Sequence, residues 1–207
     1  MQAWKRMERR WAIALVQHGD IRIAPLTYYR NLERDSHGIA DPMEGRAIGL
    51  LQGSFSSAAD ISRLNRLGSA FRIEGGGSVI TFDGSAYFPA SRNDLVFCLS
   101  GRADAPAFDP AYDTTVACLD LEAVASLLTR KFPDELGNAE CGEVIYATRK
   151  WDVRTEEPLD SDPFRKEPAE KFIRQEERRI AWPNKRSVMS PVDLNCEELT
   201  SYFKIVE

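Results

Sequence analysis

Apolar positions along the chain recur with two periods, and the segments they mark follow one another without strict alternation. Between residues 5 and 18, Trp11, Leu15 and His18 fall at helical spacing and Gly19 stands where a C-terminal cap belongs, which predicts a first helix. A short strand follows at IRIA, with Arg22 facing opposite to Ile21 and Ile23, and Pro25 opens a short helix or turn in PLTYYRN. Residues 33 to 47 carry almost no apolar periodicity and hold Gly38, Pro42 and Gly45, the pattern of a surface loop. Residues 47 to 53 predict a strand, 56 to 67 a helix with Ile61 and Leu64 inward, and FRIEGGGSVITFDG two strands joined around Gly75, Gly76 and Gly77. Those glycines precede no helix, so they are turn chemistry and not a phosphate-binding fingerprint.

Continuous apolar runs at LVFCLS (95 to 100) and TTVACL (114 to 119) predict buried strands. Asp120 is placed to cap a helix in which Leu121, Val124, Leu128 and Phe132 recur every three or four residues. GEVIYATRKW reads as a strand, a Pro- and Asp-rich connection runs from 155 to 163, a short helix is expected over 164 to 173, and SYFKIV supplies a last strand. The mixed order of helices and strands predicts an α+β fold: a single domain over residues 1–207 with a mainly antiparallel central sheet flanked by short helices.

The segment RQEERRIAW is ambiguous by itself. As a helix it would scatter its charges. As a strand over 175 to 182 it would project Gln175, Glu177 and Arg179 together from one sheet face, with Glu176, Arg178 and Ile180 on the other. Pro183 and Asn184 supply a turn signal directly after it, and the helical pattern is used up earlier, so the strand reading is preferred.

Composition narrows the function classes. The chain has 207 residues, 43% of them hydrophobic and 29% charged, which fits a globular domain with a substantial core. Its net charge of −5 comes from 27 basic and 32 acidic residues intermingled along the chain, so duplex DNA is not expected as a partner. No apolar run is long enough to span a bilayer, and the expectation is a cytoplasmic protein with no membrane partner. The four cysteines are too far apart in sequence for a metal knuckle or redox pair and read as reduced, buried thiols. With only His18 and His37 present, histidine-based zinc or nucleophilic chemistry is poorly supported.

Three pieces carry a resemblance: ADPMEG in the 33 to 47 loop, FCLS at the end of a middle strand, and Lys166 followed by RQEERRI. Together they resemble a bacterial family of uncharacterised cytoplasmic proteins with an Asn-Asp-Pro-x-acidic loop, a Cys-x-Ser strand and a Glu-x-Glu-x-Arg strand. Ala40 and Gln175 depart from that pattern. Gln-x-Glu is also similar to the late strand of mono-ADP-ribosyltransferases, a more distant likeness that implies an ADP-ribosyltransferase-like fold and NAD as substrate, with a protein or nucleic-acid acceptor. The biological setting it implies is a toxin or phage-defence effector.

On this likeness Glu177 is the catalytic carboxylate, stabilising the charge that develops on the ribose, and Gln175 orients the acceptor. Arg22 or Arg30 matches an early basic residue and Ser100 a middle serine, Arg179 is placed at the ligand, an arginine would hold the pyrophosphate, and Tyr28 or Tyr29 would stack on a ring. Glu177→Gln is expected to abolish turnover while leaving the fold intact. Two other readings stand beside it: a non-catalytic binding module of the same fold, and a magnesium-dependent nuclease built on Asp41, Glu44, Glu177 and Lys166.

Overall fold

The computed structural model describes residues 1–32, 45–67, 79–87, 91–107, 109–156, 159, 161–167 and 170–206. The centre of the expected 33 to 47 loop, including Asp41 and Glu44, and the glycine turn at 75–77 lie outside the described residues. The strands, in chain order, are β1 (Ala3–Met7), β2 (Asp20–Pro25), β3 (Ile48–Phe55), β4 (Ile80–Tyr87), β5 (Leu95–Ser100), β6 (Thr114–Cys118), β7 (Glu140–Glu143), β8 (Ile145–Tyr146), β9 (Lys150–Asp152), β10 (Arg165–Lys166), β11 (Glu177–Trp182), β12 (Val192–Asn195) and β13 (Phe203–Val206). The helices are α1 (Arg9–Ile13), α2 (Leu26–Leu32), α3 (Ala58–Arg66), α4 (Leu121–Lys131) and α5 (Glu170–Ile173), and a π-helical turn continues α1 from Ala14 to His18. The architecture is therefore mixed α+β with a mainly antiparallel sheet and few helices. Among the described residues no helix is long and apolar enough to cross a membrane.

The chain divides into two compact units: Met1–Gly45 with Asn93–Ala147 and Pro163–Glu207, and Arg46–Arg92 with Thr148–Asp162. In the smaller unit β3 pairs with β4 antiparallel and with β9 in parallel. Its core gathers Leu51, Phe55, Leu64, Trp151 and Val153. Helix α3 starts on a capping box in which the Ser57 hydroxyl accepts from the Asp60 N–H and the Asp60 carboxylate accepts from the Ser57 N–H.

In the larger unit every pair in the main sheet is antiparallel, in the order β12-β2-β5-β1-β6-β13, with β11 on β5 and β7 on β11. One edge of β5 is fully used, since residues 95–100 pair with β11 from Trp182 to Glu177. The other edge is shared: β2 pairs only at Leu95 and Val96, and β1 only at Ser100. The sheet is split between β1 and β2, opposite the middle of β5. Helix α4 buries Leu121, Val124, Ala125, Leu127 and Leu128, and the core cluster that contains them also takes in Phe97, Ile180 and Trp182. Asp120 caps α4 by accepting from the Ala123 N–H at 3.3 Å.

Five elements differ from the sequence reading. Residues 3–7 are strand β1, which takes in the first three residues of the helix expected over 5 to 18, because their backbone groups pair with β6 on one side and reach β5 on the other. GEVIYATRKW is broken into parts of β7, β8 and β9. The expected 164 to 173 helix begins as strand β10, paired in parallel with β8, and only Glu170–Ile173 is helical. Strand β11 starts at Glu177 rather than 175, and β12 was not expected at all.

Candidate functional site

Alternation along β11 sends Ile180 and Trp182 into the core and Glu177 and Arg179 to the other face. Register with β5 sets Glu177 opposite Ser100 and Arg179 opposite Cys98. A cavity of about 370 Å3 lies over this face and the split, lined by residues of β1, β2, α2, β5, β10 and β11. That is within the usual size of a small-molecule site.

Glu177 is 4% exposed, and both of its carboxylate oxygens are occupied by cations. The Lys166 ammonium donates to Oε2 at 2.9 Å, and the Arg179 Nε donates to Oε1 at 2.6 Å. Arg179, itself 1% exposed, also donates through Nη1 to the Pro163 carbonyl. The Glu177 N–H donates to the Tyr146 hydroxyl at 2.9 Å, and Lys166 lies 4.1 Å from the centre of the Phe172 ring. Burial alone would push the Glu177 carboxyl up, but Arg179 and then Lys166 outweigh it and hold the acid well below the ordinary carboxylate range. Burial pushes the Tyr146 phenol up to about 12, so it remains a neutral hydrogen-bonding group.

Gln175 reaches the cavity from a tight turn rather than from the strand. After α5 the Gln175 N–H donates to the Phe172 carbonyl at 2.9 Å and the Glu176 N–H to the Ile173 carbonyl at 3.1 Å. Glu176 then takes a left-handed conformation with φ of 45°, and its carbonyl accepts from the Gly101 N–H at 2.7 Å. A non-glycine residue held at positive φ beside a buried charged group is strain that the surrounding contacts must hold in place. Ser100 contributes to that hold: its hydroxyl donates to the Gln175 carbonyl and accepts from the Arg102 N–H at 3.0 Å.

Of the residues named from sequence, Gln175, Glu177, Arg179, Ser100, Tyr28, Tyr29 and Arg22 all line this one cavity. Tyr28 and Tyr29 stand edge to face with centroids 5.8 Å apart. Arg22 is an exposed rim residue whose guanidinium donates twice to Asp193, at 2.6 and 2.9 Å, and lies over the Trp11 ring. Arg30 sits in α2, buried, and is not among the lining residues.

Other lining groups escaped the sequence reading. Trp4 and Lys5 line it from β1, where the sequence pattern predicts a helix from residue 5 and no strand, and Trp11 lines it from α1 with 42% exposure. Lys166 was noted only as part of a motif and as one member of the nuclease reading, and its direct pairing with Glu177 depends on β10 being a strand. The pairing also changes the expectation for Glu177→Gln: the substitution removes the carboxylate shared by two buried cations, so the fold does not stay intact at no cost.

Comparison with known proteins returns no match: no family profile, no curated protein and no solved structure resembles the chain closely enough to register.

Proposed function

We propose that the cavity binds NAD and that the protein is an NAD-consuming ADP-ribosyltransferase, with Glu177 as its central carboxylate and a protein or nucleic-acid acceptor. The observation that carries this reading is a buried, ionised glutamate beside an amide, Gln175, in a pocket walled by aromatic rings. In the reaction the bond between the ribose C1′ and the nicotinamide nitrogen breaks, nicotinamide leaves with the bonding electrons, and an acceptor nucleophile attacks C1′ and gives up its proton. A carboxylate offers about four acceptor positions, of which Lys166 and Arg179 take two. The remaining positions are available to a ribose hydroxyl, and the fixed negative charge stabilises the cationic ribose. Gln175 is placed to orient the acceptor.

The split antiparallel sheet supports an ADP-ribosyltransferase-like fold, and the ADPMEG, FCLS and RQEERRI segments support membership of the uncharacterised bacterial family they resemble. A cytoplasmic toxin or phage-defence effector is the setting that goes with this reading.

One observation favours a second reading, a non-catalytic binding module: a glutamate with both oxygens engaged by buried cations is also what a purely structural ion triad looks like. The same engagement disfavours the nuclease reading, since the positive charges of Lys166 and Arg179 beside Glu177 would repel a divalent metal ion there. Incubation of the protein with NAD labelled on the ADP-ribose, together with a cell lysate, separates the two. The transferase releases nicotinamide without added metal and transfers label to lysate macromolecules; binding without nicotinamide release establishes the module.

A further inference from the structure

We propose that Lys5 is the anchor of an anion site inside the split of the sheet, and that the ligand of the cavity is a phosphorylated compound whose phosphate or pyrophosphate sits on this ammonium. The inference deepens the transferase reading and rests on it for the choice of a nucleotide as ligand.

The split leaves the middle of β5 without a strand on one side, and Lys5 answers that gap: its ammonium donates to the Cys98 carbonyl at 2.7 Å and lies 4.9 Å from the centre of the Phe97 ring. These are its only polar and ring partners among the described residues, and neither carries a charge. An ammonium has three donors, so two remain after the bond to Cys98. Lys5 is half-buried, and an ammonium withdrawn from water even in part is normally paired, because desolvating a charge without a counter-ion is costly. Burial accordingly pulls the Lys5 ammonium down from its ordinary range. The nearest acid of the cavity, Glu177, is already held by Lys166 and Arg179.

The rim is different. Arg22 is matched by Asp193 and Arg102 by Asp104, at 2.6 and 2.8 Å. Inside the split the ammonium without an acid of its own is that of Lys5, since Glu177, the one carboxylate that acts on it, is shared with Lys166 and Arg179. A nucleic-acid backbone lying across the mouth would find Arg22 and Arg102 already neutralised. A small molecule that reaches inward with its phosphate finds Lys5, while Tyr28 and Tyr29 offer ring faces or edges to a base or nicotinamide.

A lysine that only plugs the gap in the sheet should stabilise the fold, whereas a cation waiting for a ligand should burden it. Lys5→Met and Lys5→Arg separate these roles. Binding of inorganic pyrophosphate, ADP-ribose and adenosine to each protein is measured by calorimetry, with thermal melts of the unliganded proteins. The expected result is binding of pyrophosphate and ADP-ribose but not adenosine, a loss of tenfold or more in both affinities in Lys5→Met, retention in Lys5→Arg, and an unliganded Lys5→Met that melts at or above wild type. Equal ADP-ribose affinity in wild type and Lys5→Met, or no pyrophosphate binding by the wild type, overturns the proposal. So does a Lys5→Met protein that melts well below wild type or fails to fold, since that marks a structural plug. Nicotinamide release is assayed in parallel: Lys5-dependent pyrophosphate binding without NAD cleavage keeps the anion site and rejects the transferase, and NAD cleavage with unaltered affinities in Lys5→Met does the reverse.

Discussion

Replacing Glu177 with glutamine changes almost no volume and removes one charge, which makes the cost readable. Two charge-assisted hydrogen bonds are affected, from Lys166 at 2.9 Å and from Arg179 at 2.6 Å, and donors and acceptor are each no more than 6% exposed. At roughly 1.5–3 kcal/mol for each such bond the loss is about 3–6 kcal/mol. Measured removals of one partner from buried ion pairs give a similar range of about 3–5 kcal/mol, most of it the expense of leaving the other charge buried. Against a total stability of about 5–15 kcal/mol this is a large fraction, and for a chain of this size it corresponds to a fall in Tm of about 6–24 °C.

Urea denaturation followed by tryptophan fluorescence reads the effect directly, since Trp182 is fully buried on the same strand. The double variant Glu177→Gln/Lys166→Met should recover part of the loss, because it also removes one of the two cations that the first substitution strands. The pH dependence has a defined sign. Glu177 is depressed in the folded state, so its contribution is fully present above the unfolded carboxyl value of about 4.3 and disappears only as the pH falls through the lower folded value. The difference between wild type and Glu177→Gln should therefore be constant near neutrality and shrink only in acid. A variant within about 1 kcal/mol of wild type at pH ~7 would refute the account of the triad, and a double variant less stable than the single one would do so independently.

Gly101→Ala tests the turn that presents Gln175: the new Cβ would lie 2.9 Å from the Glu176 carbonyl oxygen, the same atom that accepts from the Gly101 N–H. A cost of about 1–3 kcal/mol in urea is expected, together with weaker NAD turnover, and an unchanged midpoint would show that the turn relaxes freely. Burial pushes the Cys98 and Cys118 thiols up to about 12 and Cys141 up to about 11, so native protein should react very slowly with iodoacetamide near pH ~8 and all four thiols only after unfolding. Mass spectrometry locates the label, and rapid native alkylation of Cys98 would contradict its placement.

What could be read from the sequence and what could not divides along the range of the interactions involved. Strands β5 and β6 and helix α4 announce themselves because their burial patterns are local: LVFCLS is apolar throughout, and α4 shows its buried stripe over three turns behind a capping aspartate, while β11 needed the turn signal at Pro183 and Asn184 as well. Glu177 and Arg179 were legible for the same reason, since period-two alternation depends only on neighbours in the chain, whereas Gln175 joins them through the turn before β11 and not through that alternation. Strand β1 was not. AWKRM has two basic residues in five and flows directly into α1, so local propensity favours helix, and only pairing with residues more than ninety positions later makes it a strand. The shift from helix to strand over Arg165–Lys166 has the same origin, in β8 some twenty residues earlier. Both misreadings concealed a lysine of the cavity. Lys5 and Lys166 are therefore the groups whose chemistry depends most on tertiary structure: one is brought to Glu177 by a two-residue parallel pairing, the other to the open edge of β5 by the split in the sheet. A pocket assembled this way can carry charges that no spacing rule reveals, and the substitutions that probe it best are those two lysines, not the glutamate that first drew attention to it.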